Sequence, residues 1–138
     1  ALVLYLGAGA SDDNLYSARA LYQAGFLSTK LNKNDQARRC FSDFLKKNPK
    51  GEDAERAALQ NIQMDLGEEK WEAAAAGAGE FLKKFPQSRF ADVALYKLGM
   101  GLTGLKNYDK ASFEYIEMKD IIKTAFKERE KQLSSILL

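Results

Sequence analysis

Several groups of residues in this 138-residue chain have types and spacing that bear on chemistry. Gly99-Met100-Gly101-Leu102-Thr103-Gly104 spells GxGxxG. That motif holds a pyrophosphate when it directly follows a strand and opens a helix. The small-residue run from Ala73 to Gly79 suggests a phosphate loop, but no Gly-Lys-Ser/Thr follows it. Acidic neighbours at Asp12-Asp13, Asp53 and Glu68-Glu69 raise paired general acid/base work. Cys40 is the single thiol, and Lys46/Lys47/Lys50 with Lys83/Lys84 are the basic clusters.

Each group has a plainer reading. The GxGxxG falls inside a helical pattern, so its glycines read as packing positions. The carboxylates fall at helix starts or turns, where they favour the helix dipole, and the lysines fall in last turns, where cations do the same. A nucleic-acid groove would need interleaved aromatics and a larger charge excess than 21 Lys+Arg against 19 Asp+Glu, a net +2. Cys40 has no second cysteine, which excludes a disulfide, a CxxC pair and a thiolate zinc cage. The chain contains no histidine, which removes Ser-His-Asp and Cys-His catalysis and histidine metal sites. The expectation is no enzyme, no catalytic residue, no metal, no cofactor and no nucleic-acid partner.

The elements that position these residues repeat. Phe44-Leu45-Lys46-Lys47-Asn48-Pro49 returns 37 residues later as Phe81-Leu82-Lys83-Lys84-Phe85-Pro86. Ala20-Leu21-Tyr22-Gln23-Ala24-Gly25 returns after 74, twice that period, as Ala94-Leu95-Tyr96-Lys97-Leu98-Gly99. Ala37, Ala74 and Ala111 share one position, Phe41, Ala78 and Tyr115 another, and Asn34, Trp71 and Tyr108 a third. Helical spacing of apolar residues predicts helices over 13–31, 35–47, 54–66, 71–84, 91–105 and 108–119. A terminal helix over 121–138 would cover the open end. Asn34 or Asp35 is the expected N-cap of the second helix, and Pro49 and Pro86 end helices. Mid-helix Gly25 and Gly99 imply close helix crossings, since glycine there costs about 1 kcal/mol against alanine. Helix pairs of this kind bury their apolar faces only by stacking.

Gly25, Ala37, Phe41 and Pro49 stand at the spacings of the tetratricopeptide repeat, including its A-x3-F pair. Gly99, Tyr108, Ala111 and Tyr115 match again, as do Trp71, Ala74 and Pro86. The chain therefore resembles the tetratricopeptide family over about residues 13–120. Its period of 37 exceeds the usual length of about 34. The extra residues follow each proline, as in bacterial cell-envelope members of the YbgF/CpoB (Tol-Pal-associated) and BamD types. Ile62 replaces the middle glycine, Ala78 the middle aromatic, and Lys123 the third proline. The resemblance implies an all-α, right-handed superhelical array of antiparallel helix pairs in a single domain. Its units would be residues 13–49, 50–86 and 87–120, with a capping helix over 121–138. Residues 1–11 read as the end of a truncated preceding unit. The start at Ala1 without Met fits a fragment or processed form, and a signal-peptide tail ending at Ala8-Gly9-Ala10 is the alternative.

In that family the first helix of each unit lines a concave groove. The residues so placed are Arg19, Tyr22, Phe26 and Thr29; Arg56, Leu59, Gln60 and Gln63; and Tyr96, Lys97, Met100 and Thr103. Aromatics and arginine dominate binding hot spots, and methionine adapts to varied partners. Phe26 and Met100 replace the asparagines of a carboxylate clamp. The expected function is a protein-binding scaffold that takes a partner segment in this groove, in envelope assembly or division. A structural or oligomer-forming segment with a self-filled groove is the alternative. The resemblance implies a periplasmic location, with the cytoplasm as alternative. No apolar run approaches the roughly 20 residues of a membrane span.

Overall fold

The computed structural model describes residues 14–106 and 108–137, and their regular structure is helical throughout. The helices are α1 (Asn14–Lys30), α2 (Asn34–Lys47), α3 (Glu52–Gly67), α4 (Trp71–Lys84), α5 (Ala91–Leu105) and α6 (Tyr108–Leu137). Two compact units form, Ala1–Asn61 and Ile62–Leu138, with the division inside α3. Expectations about residues 1–11, about the Asp12-Asp13 pair, and about the side chains of Tyr108 and Ala111 lie outside what is described.

The 37-residue period is written in the backbone. At the end of α1, Asn32 takes a left-handed φ of +58°. The Lys33 amide donates to the Ser28 carbonyl at 2.8 Å and the Asn32 amide to Thr29 at 3.1 Å. This closure satisfies the last carbonyls of the helix while the chain reverses. At the end of α3, Glu69 has φ +57°. Lys70 donates there to Asp65 at 2.8 Å and Glu69 to Leu66 at 3.1 Å. Lys106, a further 37 residues on, has φ +59°. None of the three is glycine, so each left-handed residue costs on the order of 1 kcal/mol.

These corners correct the expected capping. Lys33 and Lys70, and not Asn34 or Asp35, occupy the cap positions of α2 and α4, and neither makes a side-chain cap bond. The reversal is so short that the cap residue's own amide closes the preceding helix. Its carbonyl meanwhile accepts the Ala37 or Ala74 amide, each at 2.9 Å. Both second helices end alike. The Asn48 amide reaches Phe44 at 2.8 Å, the Phe85 amide reaches Phe81 at 2.7 Å, and a proline follows. Beyond the prolines the period breaks. Gly51, at φ +106°, accepts the Glu55 amide, whereas Ser88 at the same position takes the Phe90 amide on its hydroxyl at 3.0 Å.

Packing explains where the sequence departs from the repeat. In the first unit a Cβ on Gly25 would fall 2.5 Å from the Phe41 ring, so the glycine is the socket for that fully buried side chain. In the second unit the sizes are exchanged. Ile62 stands at the glycine position and Ala78 at the aromatic position, and both are buried. Gly77 gives Ile62 room, since a Cβ there would lie 3.2 Å from its Cγ1. Gly99 is no tight crossing: a Cβ would meet Tyr115 at an ordinary 3.6 Å. The close approach moves to Gly101, whose Cβ would come within 2.9 Å of the Ala75 backbone nitrogen, and to Gly104, whose Cβ would overlap the Trp71 indole. Two glycines of the GxGxxG therefore hold α5 against the first turn of α4.

The helix expected to end near residue 119 and the expected terminal helix are one element, because α6 runs unbroken for 30 residues. Neither proline nor glycine occurs within it. Met118, Ile122 and Ala125 are its buried stripe, and the Gln87 side-chain amide donates to the Ala125 carbonyl at 3.2 Å.

Gly25→Ala should lower stability by about 1–3 kcal/mol, the usual cost of overpacking. Gly79→Ala, where an added Cβ meets nothing within 4 Å, should raise it by about 0.5–1 kcal/mol through helix propensity. Urea denaturation of the two variants checks both signs.

Candidate functional site

On the outward face of α5, Tyr96 is 69% exposed and Met100, one turn on, is 41% exposed. Lys97 lies beside them, half-buried, and its ammonium donates to Gln63 Oε1 of α3. Burial lowers the Lys97 pKa from its ordinary value. Thr103 is exposed, but its hydroxyl already donates to the Gly99 carbonyl at 2.7 Å, as Thr29 does to Gly25 at 3.0 Å. The second unit thus brings Gln63, Tyr96, Lys97, Met100 and Thr103 onto one surface that is apolar, aromatic and positively charged.

In the first unit the arrangement differs. Tyr22 and Phe26 are half-buried members of an aromatic cluster. Tyr22 meets Phe26 edge-on at 4.9 Å and Phe44 at 5.2 Å, and Phe26 meets Phe41 at 5.1 Å. Arg19 is exposed, and Arg56 pairs with Glu52 at 2.7 Å. A cleft of about 710 Å³ opens beside Arg19 and Tyr22, reaching Gln23, Asn48, Lys50 and Asp53. The Tyr22 phenol is held above its usual pKa by burial first and the Asp53 carboxylate second, with Arg56 opposing. Gln23 and Asn48 were not singled out by the sequence, and Asp53 was, but as an acidic residue at a helix start and not as a neighbour of Tyr22. Their signal was the lengthened linker after Pro49, which carries the start of α3 past α1.

Leu59 is different again: it is 8% exposed. It shares a helical stripe with the buried Ile62 and Leu66, so α3 turns it toward the interior. Gln60 is half-buried next to it.

Cys40 and the Glu68-Glu69 pair have structural roles. Cys40 is buried, and burial, followed by the Asp43 carboxylate, raises its thiol pKa, which keeps it neutral and unreactive. Glu68 pairs with Lys70 at 2.9 Å across the corner that Glu69 closes. Among the described residues no group of His, Cys, Asp or Glu could hold a metal ion. No described helix is long and apolar enough to cross a membrane.

Residues 15–135 match the family model of YfiO, described as an outer membrane lipoprotein. No curated protein and no solved structure matches the chain. Of the two envelope types the repeat resembles, the match falls on the BamD type.

Two titrations follow from this geometry. Native Cys40 should react with a disulfide reagent at pH 8 far more slowly than the urea-unfolded chain, and equal rates would contradict its burial. Lys97 should titrate below the other lysines in NMR of the 13C-methylated protein. Its folded pKa is depressed, so burying the charge opposes folding at neutral pH. That penalty fades as pH rises from the folded pKa toward the unfolded value near 10.5.

Proposed function

Because the chain belongs to the YfiO family of outer membrane lipoproteins, we propose that it is a non-catalytic scaffold on the periplasmic side of the cell envelope, binding protein segments during outer-membrane assembly. The single observation behind this reading is the pair Tyr96 and Met100, exposed one turn apart on α5 with the Lys97 cation between them. A large aromatic and a flexible thioether left open to water cost solvation unless a partner covers them, and this pairing with a cation is typical of hot spots. Among the described residues the partner of Lys97 is the neutral Gln63, so an incoming carboxylate would meet its charge. In the first unit the Arg19–Tyr22 cleft offers a second point of contact. There Tyr22 and Phe26 present their edges while their rings remain in the cluster. Residues 13–49, 50–86 and 87–120 act as three repeats in this reading, with the rest of α6 as the closing element.

The double variant Tyr96→Ala with Met100→Asp should reduce co-purification of outer-membrane assembly proteins by about tenfold or more, the loss of a single hot spot. Its far-UV circular dichroism should be unchanged. Undiminished co-purification would contradict the reading, and loss of the helical signal would assign both side chains to the core.

A further inference from the structure

The opposite face of α5 borders a second surface with different chemistry. Residues two apart on a helix point roughly 200° apart, so Leu98 and Leu102 face away from Tyr96 and Met100. Buried themselves, they floor a groove of about 700 Å³ between α4 and α6, with the buried Met118 beside them and the exposed Leu105 in its lining. Its α4 wall is made of Ala75, Ala76 and Gly79. A Cβ added at Gly79 would meet nothing within 4 Å, so the groove is open there and a backbone can come close. Among the described residues the rim carries Glu72, Glu80, Glu114 and Glu117 against Lys83. Glu72, Glu80 and Glu117 make no ion pair among the described residues.

We infer that this groove is a second protein-docking surface, whose occupant is a basic amphipathic segment with apolar side chains against Leu105, which lines the groove and is 42% exposed, and lysines or arginines against the glutamates. Charge complementarity selects the occupant. The carboxylates of Glu72, Glu80 and Glu117 repel nucleic acid and anionic lipid headgroups, and they attract cations that flank an apolar stripe. The small α4 wall favours a helical segment, because a second helix approaches closely only where side chains are short. The two faces of α5 then take partners of opposite charge, the cationic Tyr96 surface an acidic one and this groove a basic one.

The test uses a fluorescent helical peptide with leucine along one face and lysine on both flanks, and a twin with glutamate in place of lysine. Anisotropy should show binding of the lysine peptide that weakens with salt, and none of the glutamate twin. Glu80→Lys with Glu117→Lys should weaken binding by about tenfold, in the range for paired rim charges. Gly79→Leu should block it while leaving thermal stability unchanged or raised, and Tyr96→Ala/Met100→Asp should leave it intact. The inference fails if neither peptide binds, if both bind equally, or if binding ignores the Glu80, Glu117 and Gly79 changes. It also fails if the protein alone self-associates and Gly79→Leu abolishes that, which would make a second copy the occupant.

Discussion

A helical hairpin holds only if the chain reverses in a few residues without leaving the last carbonyls unpaired, and here that reversal falls to Asn32, Glu69 and Lys106 in the left-handed region. The amides of Lys33 and Lys70 close the preceding helix while their carbonyls start the next one. With so short a corner, the second helix of each pair has no freedom to slide. The positions of Ala37 and Ala74, both with no exposed surface, follow from it. Pro49 and Pro86 then stop α2 and α4 at the same point of the repeat, whereas α6 has no proline and runs on. The outward faces of α1 and α5 are consequences of where these corners place the inward ones.

Within that frame the side chains conserve volume more strictly than identity. The first pair seats Phe41 on Gly25, and the second seats Ile62 over Gly77, with the small Ala78 buried at the aromatic position. A large residue crosses from one helix to the other, and the interface stays filled. The same logic turns a phosphate-loop motif into a packing device, since Gly101 and Gly104 let α5 approach Trp71 and Ala75. It also explains why Tyr22 and Tyr96, at equivalent positions, behave differently. Tyr22 has Phe26 and Phe44 to lean on. The corresponding positions near Tyr96 are Met100 and Met118, and the tyrosine is left facing water.

The helices were legible because their stops are local and chemical. Pro49, Pro86 and the apolar spacing between them placed α4 and α5 at their observed bounds. The corners were less so, since Lys33, Glu69 and Lys106 carry no composition signal for a left-handed backbone or a cap. Continuity of α6 was readable in its lack of proline and glycine, but the repeat pattern suggested a break near residue 120. The candidate site was partly legible. Helical position alone put Tyr96, Lys97 and Met100 on one face, but it could not separate Leu59, on the buried stripe of Ile62 and Leu66, from exposed neighbours. The acid-rimmed groove was invisible, because its glutamates come from α4 and α6 and meet only when those helices flank α5.

The central claim is that the exposed face of α5 is where this scaffold meets protein partners. Site-specific photo-crosslinking in the source cells tests it most directly, with the reactive amino acid at position 96 and, as control, at the exposed position 133 on α6. The account predicts that position 96 captures outer-membrane assembly proteins and that position 133 captures them markedly less. Capture of only the protein itself from position 96, or no difference between the two positions, would contradict it.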